Sequence, residues 1–154
     1  MNVGAALAWS SLSLLGGCAG ASGDAPPARP AGPPAPWETM GFEAKKAYMK
    51  AAVLPRMRQL FQAYDAKFFA DFSCETCHGL DAESGRYEMP NEELFVLYPT
   101  GHEKQIALVK RQPAILRFMF GTVVPEMRTL LGAAEFDPAT GTGFSCFACH
   151  PRGE

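Results

Sequence analysis

Two five-residue motifs, Cys74-Glu75-Thr76-Cys77-His78 and Cys146-Phe147-Ala148-Cys149-His150, constrain this chain more than any other feature. A Cys-x-x-Cys pair on a turn entering a helix places two thiols where they can bond the two vinyl groups of one haem. The adjacent histidine then lies under the iron as its proximal ligand. Two other chemistries use such pairs: four cysteines can make a structural zinc site, and a lone pair can be redox-active. Zinc does not require a histidine directly after each pair, and a thioredoxin-like motif wants a βαβ setting that this sequence lacks. The reading is therefore two haem c groups. Cys74, Cys77, Cys146 and Cys149 are the expected covalent attachment points, with His78 and His150 as proximal iron ligands.

The fifth cysteine, Cys18, follows an apolar or small-residue run over residues 3–17. That run is too short for a transmembrane helix of about 20 residues but suits the apolar region of a signal peptide. Leu15-Gly16-Gly17-Cys18 resembles the bacterial lipobox, which implies lipidation at Cys18 and a mature chain beginning there. The first ten residues carry no Lys or Arg, which departs from the usual charged start. A cleaved signal peptide with an incidental cysteine is the plainer alternative. Residues 19–36 hold six prolines and almost nothing that could pack, so 18–36 reads as an extended tether reaching on the order of 50 Å. The expected organisation is a leader over 1–17, the tether over 18–36 and one domain over 37–154. Covalent haem attachment in bacteria takes place outside the cytoplasm. The expected location is the periplasm, or the outer membrane through a lipid anchor, of a Gram-negative cell.

Charge removes one class of partner. The formal net charge is −2 with both signs interspersed, so there is no basic stripe for nucleic acid.

Within the domain the sequence copies itself. Residues 48–60, Tyr-Met-Lys-Ala-Ala-Val-Leu-Pro-Arg-Met-Arg-Gln-Leu, align with 118–130, Phe-Met-Phe-Gly-Thr-Val-Val-Pro-Glu-Met-Arg-Thr-Leu. Both lead to Phe-Ser-Cys-x-x-Cys-His, at Phe72 and Phe144. The offset grows from 70 at the proline to 72 at the cysteines, and the extra two residues fall in the loop Asp137 to Gly143, where insertion is cheap. Pro55 and Pro125 suit the first turn of a helix, where no amide donor is needed. After Pro55, the residues Met57, Leu60, Phe61, Tyr64 and Phe68 recur at helical spacing as one apolar face. After Pro125 the matching residues are Met127, Leu130 and Leu131, with Gly132 as the stop. A separate helix should precede each proline, over about 42–52 and 103–120, with Pro113 breaking or kinking the latter. The fold expected is all-α: two helix–loop–Cys-x-x-Cys-His units, about 37–80 and 103–154, packed around two haems with no significant sheet.

The remaining question is the sixth iron ligand. Only one other histidine exists, His102, so two bis-histidine haems are ruled out within one chain. Methionine is the alternative, and a thioether raises the reduction potential. Met57 and Met127 stand 17 and 19 residues ahead of the first cysteines and are favoured, with Met49 and Met119 as the fallback pair. Met89, before Pro90, and His102 are weaker candidates, and the plainer reading of a methionine on an apolar helical face is core packing. The helical methionine preceding its Cys-x-x-Cys-His, over 48–78 and 118–150, resembles the haem-binding repeat of the photosynthetic reaction-centre cytochrome subunit, with two units in place of four. The resemblance implies His/Met ligation in each unit. Arg58 and Arg128 follow the favoured methionines and are candidate propionate contacts, since a guanidinium pairs well with a carboxylate; the plainer reading is a solvent-facing arginine.

With both irons six-coordinate, substrate has no open position, and the expected activity is electron transfer rather than catalysis. Redox proteins would be the partners, with the membrane engaged through Cys18. The rivals are a haem enzyme or gas sensor with one five-coordinate iron, and a zinc-stapled binding module.

Overall fold

The computed structural model describes residues 32–154. The leader, Cys18 and most of the tether lie outside the described residues. The described chain is helical, and its only ladder pairings are isolated bridges such as Leu97 with Arg152 and Glu135 with Phe144.

The first long helix begins as α1, Phe42–Tyr48, passes through a π-helical turn at Met49–Val53, and continues as α2, Leu54–Tyr64. Its backbone stays right-handed helical at both junctions. Pro55 is therefore not the start of a new helix, as its position in the sequence suggests. A proline inside a helix lacks an amide donor and its ring crowds the carbonyl four residues back. Widening one turn relieves both problems. The amide of Leu54, the last before the proline, reaches back five residues to the carbonyl of Met49.

The second long helix repeats this solution. After α3 (Glu75–His78) and α4 (Glu103–Arg111), the chain breaks at Gln112, and α5 starts at Pro113 and runs to Phe118. A second π-turn, Met119–Val123, leads into α6, Val124–Leu131. The break at Pro113 is where the sequence puts it. The helix stops at Gly132, whose φ of +62° is left-handed, and the amide of Ala133 donates to Arg128 O, as in a glycine-terminated helix cap.

The π-turns change which side chains share a face. Eight residues separate Met49 from Met57, about 80° apart on a straight α-helix. A turn that absorbs one extra residue reduces this to about 20°. Met49 and Met57 thus lie on the same face, and both pack against the core; Met119 and Met127 do likewise.

That core joins the two long helices. Val53, Met57, Phe61, Phe72, Val123 and Leu130 form it. Each π-turn packs on the other long helix beyond its proline, so the contact is reciprocal. Phe61 sits at the centre, 4.8 Å from the rings of Phe69 and Phe72 and 5.1 Å from Phe118. Tyr48 donates to Leu130 O at 2.7 Å across the same junction. The expected apolar face gives out at its far end, where Tyr64 is 39% exposed and Phe68 leaves the helix. The helix ends at Tyr64, Asp65 Oδ1 accepts from the amides of Lys67 and Phe68, and Phe68 is turned out, 78% exposed. Leu130 is fully enclosed, so Leu130→Ala is expected to cost about 2–5 kcal/mol by urea denaturation.

Candidate functional site

The first motif grows directly out of the core. Phe72, 4% exposed, anchors the segment, and Arg58 Nε donates to Phe72 O at 3.0 Å. Ser73 and Thr76 then cap one another: Thr76 Oγ1 accepts from the Ser73 amide, and Ser73 Oγ accepts from the Glu75 amide. This starts α3 at the cysteines. His78 N donates to Cys74 O at 2.9 Å, which sets the histidine one turn beyond the first thiol. Cys77 packs against the core cluster.

The second motif is built more lightly. Ser145 Oγ accepts from the Phe147 amide, Cys146–Ala148 forms a single 3-10 turn, and His150 N donates to Cys146 O at 2.9 Å. Arg128, the counterpart of Arg58, pairs with Glu135 at 2.6 Å in the loop that leads to this motif. Both arginines therefore fasten their helix to the segment carrying the cysteines.

Residues 91–97 form a strap across both motifs, which sequence reasoning missed. Asn91, 7% exposed, donates from its backbone amide to Cys149 O and from its side-chain Nδ2 to Cys77 O, each at 3.0 Å. Glu93 accepts from the Leu80 amide at 3.2 Å. Phe95 O lies 3.0 Å from His150 Nδ1. Leu97 closes the strap by donating to Pro151 O and accepting from Gly153 N. The available signal was Asn91 itself, a small amide in an interval with no counterpart in the second copy.

The electrostatics favour neutral donors. Burial holds the pKa of both His78 and His150 below the ordinary imidazole value, although the Phe95 carbonyl pulls His150 the other way. Neutral imidazole is the form that ligates a metal. Burial pushes the Cys77 thiol up to about 12, with charge on Cys149 and Cys74 adding to it. Cys149 rises to about 11 by burial and then by Cys146, and burial also raises Cys146. Such thiols stay protonated at neutral pH, unlike the low-pKa cysteines of thiol exchange. All four are free of disulfides.

Four thiols and two imidazoles are the donor types that a pair of haem c groups would take. His150 presents its Nδ1 to a backbone carbonyl, the arrangement that orients a ligating histidine and leaves Nε2 for the metal. His78 Nδ1 is buried with no hydrogen-bond partner, and a buried polar atom of that kind calls for one. Large apolar side chains stand exposed beside each histidine: Leu80, 72%, follows His78, and Phe95, 77%, backs His150. Next to the strap a cavity of about 280 Å³ combines Phe95, Val96, Tyr98 and Leu108 with the cations Lys104 and Arg111. No motif cysteine or histidine lines this cavity.

The other candidates separate by place. Met49, Met57, Met119 and Met127 meet at one core, with Met57 the most enclosed at 3% exposure. His102 caps α4, its Nδ1 accepting from the Lys104 amide, and its ring stacks on Tyr98 at 4.7 Å. Among the described residues no three His, Cys, Asp or Glu side chains converge as a metal site of their own. Comparison with protein-family models, curated proteins and solved structures finds no match.

Proposed function

We propose that this chain is an exported electron-transfer protein carrying two covalently bound c-type haems. The observation that carries the proposal is the pairing of the two Cys-x-x-Cys-His motifs by one buried asparagine, which bonds the carbonyl of the second cysteine of each. Cys74, Cys77, Cys146 and Cys149 would hold the haems through thioethers, and His78 and His150 would supply the proximal nitrogens. When bound, the haems supply one-electron chemistry, and the protein sets potential, spacing and exposure. Met57 and Met127 remain the preferred distal ligands. Met49 and Met119 compete more closely than the sequence suggests, because each π-turn puts them on the same face as the favoured pair. Arg58 and Arg128 are candidate propionate contacts through the guanidinium edges beyond their bonds to Phe72 and Glu135.

Two alternatives are weaker. A zinc staple would draw on the same four thiols but leaves the histidine directly after each pair without a task. A five-coordinate iron, as in a peroxidase or gas sensor, requires that the methionine of one unit does not bind, and each unit offers two methionines packed against the core. Redox proteins remain the proposed partners, and a lipid at Cys18 the proposed tether to the membrane.

Pyridine haemochrome analysis of the full chain, expressed with cytochrome c maturation, is expected to give two haems per polypeptide. The oxidised protein should show the far-red methionine–iron band at the intensity of two such haems. Met57→Ala and Met127→Ala should each remove half of it. Loss from Met49→Ala or Met119→Ala instead transfers the ligand to the fallback pair. A high-spin spectrum that shifts with cyanide or carbon monoxide would overturn the carrier in favour of the enzyme or sensor.

A further inference from the structure

We infer that Asn91 is a positioning residue that fixes the two haem-binding motifs relative to each other; this rests on the di-haem reading. Four hydrogen bonds meet at this residue, one of them its backbone carbonyl accepting from the Leu94 amide at 3.1 Å. Its backbone amide goes to Cys149 O, its Nδ2 goes to Cys77 O, and its Oδ1 accepts from the Glu93 amide at 2.9 Å. The amide orientation follows from the partners, since a carbonyl can only accept and a backbone N–H can only donate. Asn91 is 7% exposed, so these bonds are sheltered from water and a lost partner is costly. The carbonyls it joins belong to the second cysteine of each motif, next to each proximal histidine. Moving either would move an iron ligand. Exchange between two haems falls steeply with the distance between their edges, so a clamp at this point sets the coupling of the pair.

Gly79 makes room for the clamp. It follows His78 with φ of +73°, and a Cβ there would lie 2.6 Å from Glu93 Oε2 and 3.1 Å from Asn91 Nδ2. The first motif must therefore end in glycine for the strap to approach it. The strap's other hydrogen bonds each reach one side, from Glu93 to the Leu80 amide just after the first motif, from Phe95 O to His150, and from Leu97 to Pro151 and Gly153 just after the second.

The test uses the full haem-loaded protein and three variants. Asn91→Asp keeps the size and the acceptor for Glu93 but sets an oxygen against Cys77 O. Asn91→Ala removes the side-chain bonds and keeps the backbone ones. Glu93→Gln is a strap control that leaves Asn91 in place. Haem content is counted by pyridine haemochrome, and coupling is read from the exciton couplet of the Soret circular dichroism and from potentiometric titration. Both Asn91 variants are expected to hold two haems per chain, lose couplet amplitude and shift the separation of the two midpoint potentials, while Glu93→Gln leaves these unchanged. Two haems with a couplet and potentials superimposable on the wild type would overturn the role. So would Asn91 variants that do not fold at all, which would make the residue a structural one. A wild-type protein without haem defeats the underlying reading instead, and is told apart by the first measurement.

Discussion

On the proposed di-haem reading, replacing Cys146 and Cys149 together by alanine is expected to leave a folded protein with one haem per chain in place of two. Replacing Cys74 and Cys77 is expected to do far more damage. The difference follows from how each motif is held. Phe72, two residues before Cys74, is 4% exposed within the central cluster, and Cys77 packs against that cluster. Two smaller side chains and a missing haem there open the core joining both long helices, and loss of buried contacts in a close-packed core is costly. The second motif is a single 3-10 turn outside that cluster, held by backbone bonds to Asn91 and Leu97. Those bonds survive the substitution. Haem per polypeptide by pyridine haemochrome and helix content by far-ultraviolet circular dichroism give both readings. Equal loss of fold in the two double variants would mean that the motifs are equally integrated. Zinc in the wild type in place of haem would return the staple.

Much of this arrangement could be read from the sequence, for identifiable physical reasons. The helix break at Pro113 and the stop at Gly132 rest on local backbone chemistry, and both stand where the residues place them. The helical character of the chain follows from spacings of three and four with no alternating run. The π-turns were hidden because a proline at the second position of a helix looks the same whether the helix starts there or absorbs it by widening. Periodicity continues on either side and does not report the inserted residue. The cost fell on the methionines, assigned to separate helices when Met49 and Met57 share a face. Phe68 was misplaced for a similar reason: its spacing continues the apolar face, but the Asp65 side chain ends the helix before it. The strap was invisible because its bonds run from one amide side chain and several backbone groups, which leave no pattern in hydrophobicity or charge. Arg58 and Arg128 were singled out as candidate propionate contacts, and the structure shows a different task that the sequence did not suggest, fastening their helices to Phe72 and Glu135.

Exchanging the charges of Arg56 and Glu126 is expected to restore most of the stability that either single reversal removes. Arg56 Nε and Glu126 Oε1 are 2.7 Å apart, with the side chains 20% and 5% exposed. The two residues stand at matching places in the copied segment, 70 apart, directly after Pro55 and Pro125. They meet because the two long helices contact each other reciprocally, so each position faces its own counterpart. Arg56→Glu sets two carboxylates together in a mostly buried site, and Glu126→Arg sets two guanidinium groups there. Each single reversal should cost about 2–3 kcal/mol, less than for a fully enclosed pair because Arg56 keeps some solvent. The double reversal restores opposite charges at the same spacing, and Gln59, which accepts from Arg56 at 2.8 Å, can donate to a glutamate by turning its amide. The remaining deficit should be about 1 kcal/mol or less. Thermal and urea denaturation of the haem-loaded variants would measure this cycle, and a double variant no more stable than the singles would show that the pair does not set the crossing. The consequence reaches the site. This crossing holds the helices that carry all four candidate methionines, so a single reversal should also broaden or weaken the methionine–iron band, and the double reversal should recover it.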